Sequence, residues 1–162
     1  MSLLSILNWI QQTPFATGLK ESALVFPLVE GTHILSLAVS VCMIVILDLR
    51  LLRLTFRNQS VSLVMDQLIQ VALPGFIVTL LTGAMLFSTE AVRAFGSPFF
   101  RAKMMLLAAA GVNAIYYRFR YYPRMPEWDL TTPPAGARVV AALSLIFWIG
   151  VIGCGRTMAY EF

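Results

Sequence analysis

The residues best suited to chemistry in this chain are Glu30 and His33, near the start of a long apolar stretch. Residues three positions apart share one face of an α-helix, so a helix here presents a carboxylate and an imidazole side by side. His33 is the only histidine of the sequence. Any metal, porphyrin or proton chemistry that needs imidazole therefore uses His33 or a histidine of another subunit.

Further polar residues follow on the same helical face. At about 100° per residue, Ser36, Ser40 and Asp48 fall within the sector that holds Glu30 and His33. Charged side chains are costly at the centre of a bilayer and normally face protein or water there. The pattern therefore predicts that this stripe looks into a helix bundle or a subunit interface.

The elements that must position these residues are membrane spans. The chain has 59% hydrophobic and 12% charged residues, and its mean hydropathy is +0.79, which is more apolar than a soluble domain of 162 residues can bury. Stretches of roughly 18 or more apolar residues can cross the hydrocarbon core as helices. The sequence predicts four spans, at about 24–47, 68–88, 104–118 and 138–155.

The N-terminal segment has a different pattern. Leu3, Leu7 and Ile10 recur at helical spacing among polar residues, which is typical of a helix lying in the membrane interface. Thr13 and Pro14 then form the start signal of a second short helical turn. We therefore expect an all-α fold, an integral membrane bundle of four transmembrane helices (21–162) with an N-terminal interfacial amphipathic helix (1–20).

Basic residues between the predicted spans indicate an orientation. Seven arginines lie on one side, after the first span and around the connection between the third and fourth, and five lysines and arginines lie on the other. The side richer in basic residues normally faces the cytoplasm. Both termini are then expected outside the cytoplasm, and the net charge of +4 indicates contact with lipid headgroups and no nucleic-acid partner.

This orientation brings several potential ligands to the depth of Glu30 and His33. An outer layer of imidazole, carboxylate, thioether and thiol groups suits copper(I) or the axial ligation of a haem such as haem b. We take His33, Met104 and Met105 as candidate cofactor ligands and His33, Glu30 and Cys154 as candidate metal ligands. Glu90 and Arg156 are the candidate supporting residues around them.

Other interpretations of the same residues stay open. Methionines are ordinary fillers of apolar helices, and Glu30 can pair with Arg156 or His33 to lock helices together. Glu30 and His33 also have the spacing of one half of a di-iron motif, but such a site needs two copies. One histidine cannot ligate a haem twice within one chain, so a haem would need a methionine or a second protomer.

Three segments carry a resemblance to known families. They are Glu21–Leu54, with its Phe-Pro, Glu-Gly-Thr-His and Asp-Leu-Arg-Leu-Leu motifs, Leu81–Thr89, and Phe147–Tyr160 with Trp148 and Gly155-Arg156. With these the chain resembles a family of small uncharacterised bacterial four-helix inner-membrane proteins. It is more loosely similar to the membrane part of copper-resistance D proteins, which implies periplasmic copper or haem around His33. The chain departs from that second family in having a single histidine.

These observations lead to three functional hypotheses. The first is a small accessory subunit of the bacterial inner membrane, with periplasmic termini, in which His33 holds a haem or copper centre for electron transfer or metal handling. The second is a structural or assembly subunit of a larger membrane complex without a cofactor, and the third is an oligomeric proton or ion channel. The bilayer and either further copies or other membrane subunits are the expected partners. The absence of a phosphate-binding loop or a paired Cys-x-x-Cys motif favours no catalytic activity of its own.

Overall fold

The structure is a computed structural model that describes residues 2–161, and in that part of the chain every regular element is a helix. The predicted all-α class is therefore confirmed. The elements in chain order are α1 (Leu3–Gln11), α2 (Pro14–Glu21), α3 (Val25–Leu51), α4 (Val61–Thr89), α5 (Ala91–Gly96), α6 (Pro98–Arg120), a 3₁₀ segment (Tyr122–Glu127) and α7 (Ala135–Glu161).

Three of these helices are long and apolar enough to cross a membrane. They are α3, α4 and the part Ala135–Met158 of α7. The predicted span 104–118 lies within α6, which has 23 residues but carries Arg101 and Lys103 near its start and Arg118 and Arg120 at its end. Those charges lower the mean hydropathy of α6, so it is not among the three candidate membrane spans although it is long enough.

The helices extend beyond the predicted spans because capping groups set their ends. Helix α3 ends in a Schellman motif, in which Leu54 N–H donates to Leu49 O at 2.9 Å and Arg53 N–H to Arg50 O at 3.0 Å. Arg53 takes the left-handed conformation, with φ of 60°, that glycine usually occupies there. Helix α4 begins after Ser60, whose hydroxyl accepts a hydrogen bond from Leu63 N–H at 3.3 Å.

The long helices pack as two hairpins joined through their first and last members. Helix α3 packs on α4, α6 packs on α7, and α3 also contacts α7. Aromatic side chains bridge the remaining gaps, with the Phe76 and Trp148 rings stacked at 5.3 Å and the Phe87 and Phe100 rings at 5.4 Å between centroids. The faces of these helices that carry exposed aliphatic side chains point outward, as lipid contact requires.

The short helices α1, α2 and α5 gather at one end of the bundle, which we call the outer end; the opposite end is the inner end. Thr13 caps α2 as predicted, accepting a hydrogen bond from Ala16 N–H at 3.3 Å. The Gln11 side-chain oxygen accepts from Val92 N–H of α5 at 3.2 Å. The bond between Gln11 and Val92 joins α1 to α5 at the end of the bundle where His33 lies.

Candidate functional site

The polar stripe of α3 meets a row of small residues on α4. We call this contact the outer seam. It consists of His33, Ser36 and Ser40 from α3 and Gly75, Thr79, Thr82 and Gly83 from α4. The prediction that the stripe faces a neighbouring helix is confirmed for the three α3 members, whereas Glu30 is exposed.

His33 is oriented by two groups of α4. Its Nδ1 lies 3.1 Å from Thr79 O and 3.0 Å from Thr82 Oγ1. A carbonyl oxygen only accepts hydrogen bonds, so we assign the ring proton to Nδ1. In the neutral ring this leaves the lone pair on Nε2, the arrangement in which a histidine binds a metal.

The rest of the seam is closely packed and hydrogen-bonded. The hydroxyls of Ser36 and Thr79 are 2.9 Å apart, and Ser40 Oγ donates to Ser36 O at 2.8 Å. A Cβ atom on Gly75 would lie 2.1 Å from Ser40 Oγ, and one on Gly83 would lie 3.0 Å from His33 Cε1. Both glycines are therefore needed because α3 and α4 approach each other so closely.

Lys103 is a residue of the outer layer that the sequence analysis did not assign to the site. It projects from α6 so that its Nζ lies 3.7 Å from the position of a Cβ on Gly155, and it interacts with His33 and Cys154. Among the side chains that the structure describes, those of residues 2–158 and 160, no carboxylate forms an ion pair with it. Its place just before the predicted third span is typical of a topology signal, and its electrostatic interaction with His33 follows only from the packing of α6 on α7.

The other candidate ligands lie in different surroundings. Met104 and Met105 are 49% and 67% exposed on α6. Cys154 is a half-buried free thiol beside Lys103. Within the described residues no three histidine, cysteine or acidic side chains come together in a way that can hold a metal ion. Any metal centre at His33 would therefore need a ligand of another kind, from a methionine, from the cofactor itself or from another chain.

The two predicted supporting residues have other partners. Glu90 Oε1 lies 2.6 Å from Lys20 Nζ, an ion pair that ties α2 to the end of α4. Arg156 donates to the Tyr160 hydroxyl at 3.2 Å, one turn further along α7. Their roles near His33 stay predictions, and both would have to leave these partners to reach it.

A second set of polar groups lies at the inner end, and we call it the inner cluster: Asp48 and Arg50 of α3, Tyr117 of α6 and Asp129 of the connection 121–134. Arg50 Nε donates to Gln59 O at 3.0 Å, and its Nη2 also faces Asp129 O at 3.4 Å. The Asp129 carboxylate accepts from Ser62 N–H at 2.7 Å and from Ser62 Oγ at 2.6 Å. These bonds close the inner end of the bundle over α4.

Three buried side-chain atoms of the inner cluster accept or donate no hydrogen bond within the described residues: Asp48 Oδ2, Arg50 Nη1 and Tyr117 OH. Asp48 belongs to the predicted polar stripe. The inward position of Tyr117 is not predicted, because the neighbouring tyrosines and arginines look like an interfacial belt.

The fold and these two polar regions define an all-helical protein with three candidate membrane helices and charged groups enclosed at both ends of the bundle. The chain belongs to a family of unknown function (DUF6644), whose family model matches residues 8–161. No curated protein and no solved structure matches it. The resemblance to an uncharacterised family is thereby confirmed, whereas the looser likeness to copper-resistance D proteins stays a prediction.

Proposed function

We propose that the protein is a small subunit of a bacterial inner membrane that binds a haem through His33 near the periplasmic face. In this proposal α6 is the fourth span, and both termini are periplasmic. The fourth span is supported by the pairing of α6 with α7 and by the exposed aliphatic residues Val112 and Ile115 between its charged ends. The orientation rests on the excess of arginine at the inner end.

The observation that carries the proposal is the pair of α4 oxygens at His33 Nδ1, from which we assign the tautomer. Nδ1 is held by Thr79 O, so the ring cannot turn freely and Nε2 is the atom available to a ligand. Histidines that bind metals are usually oriented in this way by a carbonyl or carboxylate on the opposite nitrogen.

The charge beside His33 favours haem over copper(I). Lys103 places an ammonium group at this layer, and no carboxylate of residues 2–158 pairs with it. A positive group repels a bare cuprous ion but can pair with the carboxylate groups of a haem. Haem when bound would supply one-electron chemistry, and this chain's residues would hold and orient it.

A second ligand to the haem would come from the surface of α6 or from another subunit. Met104 and Met105 are exposed there, close in sequence to Lys103. They can face a second copy of the chain or a partner in the membrane, as an accessory role requires. Copper held by His33, Glu30 and Cys154 is less well supported, since Glu30 is exposed and Cys154 lies beside Lys103.

The visible spectrum of the native protein, purified in detergent, tests this proposal. We expect a Soret band with stoichiometric iron, and we expect it to disappear in His33→Asn. An asparagine places its amide nitrogen near the position of Nδ1, so the variant can keep the bond to Thr79 O while lacking Nε2. Ser36→Ala is the matched control, because it alters the same seam without touching the imidazole.

A spectrum that is unchanged in a folded His33→Asn protein would contradict the proposal. Lys103→Ala tests the role of the positive charge. We expect this variant to retain haem more weakly, because it loses the charge that pairs with the haem carboxylates while His33 is unchanged. A colourless and metal-free native protein would favour the second candidate function.

The second candidate is a structural subunit that packs into a larger membrane complex without a cofactor. It is supported by the hydroxyls of the outer seam, which are hydrogen-bonded within the chain and so can serve helix packing alone. Copurification of stoichiometric partners with a colourless protein would support it. The ion-channel hypothesis stays a prediction, for which proton or ion flux into vesicles is the measurement.

A further inference from the structure

Asp48 is the most enclosed acidic side chain on α3. It is 5% exposed, and its Oδ2 accepts no hydrogen bond from any residue of the described part, 2–161. The hydroxyl of Tyr117, projecting from α6, is buried as well and has no partner in the same part of the chain. Buried polar atoms nearly always find a partner, so two orphan oxygens at the inner end call for an explanation.

The surroundings of Asp48 offer neutral oxygens and no cation. The Ser144 hydroxyl of α7 lies next to the carboxylate, and Tyr117 of α6, which packs on the core cluster that contains Leu47 and Leu51, interacts with it electrostatically. Arg50, two residues further on, directs its guanidinium to Gln59 O and Asp129 O. Asp48 also lies in the last turn of α3, where free carbonyl groups carry partial negative charge.

An ionised carboxylate in this position is strongly disfavoured. A buried charge without a partner costs several kcal/mol even after the protein relaxes, and the helix end adds to that cost. A bound cation would remove it. The available ligands are carboxylate, phenol and hydroxyl oxygens, which suit a proton or a hard ion and not a soft transition metal.

We propose that Asp48, together with Tyr117 and Ser144, forms a site for an exchangeable monovalent cation, either a proton or a sodium ion. A single carboxylate balances a single positive charge, so a divalent ion would leave the site charged. Apart from Tyr117, the titratable groups near the site are Tyr122 and Asp129 of the inner connection, which interact electrostatically with Tyr117, and Arg50 belongs to the same cluster. Ser144 adds no charge, and Asp66 of α4 is exposed. The site is separate from His33 and does not depend on a haem there.

Labelling with dicyclohexylcarbodiimide tests the site in the intact protein. This apolar reagent adds as a whole molecule to protonated carboxyl groups within membranes, and peptide mass mapping locates the adduct. We expect an adduct on Asp48 at acidic pH in sodium-free choline chloride and its loss in Asp48→Asn. The exposed Asp66 is the internal control.

The two sources of the cation give different outcomes. Protection of Asp48 by sodium chloride, but not by choline chloride at the same pH and ionic strength, identifies sodium. Protection by alkaline pH alone, with no effect of sodium, identifies a proton. The absence of an adduct under all conditions, or an adduct indifferent to both sodium and pH, overturns the proposal.

Tyr117→Phe tests whether Asp48 is part of a cation site or is only a buried carboxyl group. If the phenol oxygen is a ligand, this variant remains folded but needs several-fold more sodium, or a changed pH, for the same protection of Asp48. An unchanged protection curve would remove Tyr117 from the site and overturn the proposed ligand set. The thermal midpoint of the wild-type protein in sodium chloride against choline chloride is an independent readout.

Discussion

The outer seam and the inner cluster lie at opposite ends of α3, and they differ in how completely their polar groups are hydrogen-bonded. In the outer seam the hydroxyls of Ser36, Ser40, Thr79 and Thr82 all bond within or between α3 and α4. In the inner cluster Asp48, Arg50 and Tyr117 each keep a buried atom without a partner among residues 2–161. The small hydroxyl side chains therefore stabilise the contact between two helices, whereas the larger ionisable side chains keep atoms that can still bind a ligand.

The two regions also differ in what covers them. The outer seam is formed by two helices in direct contact, with glycine at the closest points. The inner cluster is covered by the connection 121–134, whose Met125 and Trp128 are buried against Leu47 and Leu51 of α3. A small ion can reach a site beneath a connection when that connection moves locally. The groups buried between α3 and α4 become accessible only if the two helices separate.

Gly75→Val should have the largest effect, because it breaks the outer seam where the helices are closest. The added side chain would meet Ser40, which is fully buried. Overpacking of this kind costs about 2–3 kcal/mol in unfolding free energy, and unfolding in mixed detergent micelles measures it. Gly153→Val in α7 is the matched control, since no atom lies within 4 Å of its Cβ position. Equal losses in both variants would show that helix propensity, and not the seam, sets the cost.

His33→Ala should have the next largest effect. It removes the hydrogen bond to Thr79 O and the contact of the ring with Gly83. We expect a loss of about 1–2 kcal/mol from the missing bond and the space left behind. His33→Asn should lose less because it can keep the donor. A large loss in both variants, in protein free of haem, would mean that the ring itself supports the seam.

How much of each region the sequence predicts depends on how many helices build it. The α3 side of the outer seam follows from spacing within one helix, because His33, Ser36 and Ser40 share a face whatever α3 packs against. The approach of Lys103 to His33, and of Tyr117 to Asp48, joins residues far apart in sequence. Such contacts depend on the rotation of α6 about its axis, which a nearly uniform apolar pattern leaves undetermined.

The helix ends show the same limit. The predicted end of the first span at 47 is four residues short of the observed end of α3 at Leu51. No glycine occurs between residues 52 and 60 to mark the turn. The left-handed position is taken by Arg53, a residue type that gives no signal for it. The predicted start of the second span, at about 68, lies seven residues after the observed start of α4 at Val61, because Asp66 and Gln67 are polar although both lie within the helix.

Thr82→Val and Tyr117→Phe compare the two regions directly, since each deletes one hydroxyl at nearly constant shape. The Thr82 hydroxyl bonds Val78 O and lies 3.0 Å from His33 Nδ1, so its loss should cost about 0.6 kcal/mol, the usual value within membrane bundles. The Tyr117 hydroxyl is unpartnered, so in sodium-free buffer its loss should cost nothing or stabilise slightly. Unfolding of the two variants side by side measures the difference. A clear loss in Tyr117→Phe without sodium would mean that its hydroxyl is already satisfied in solution, and the contrast between the regions would fail.

Lys20→Ala should have the smallest effect, and it tests how firmly the outer end is held. The Lys20–Glu90 pair is short at 2.6 Å, but its side chains are 51% and 32% exposed, so water and salt screen it. We expect a loss of about 0.3 kcal/mol that vanishes at high ionic strength. Glu90→Gln should give the same loss, and the double variant should add nothing to it, because both remove one interaction. If Glu90→Gln instead weakened haem retention while Lys20→Ala did not, Glu90 would support the His33 site, as the sequence predicts. It would then have to leave Lys20 to do so.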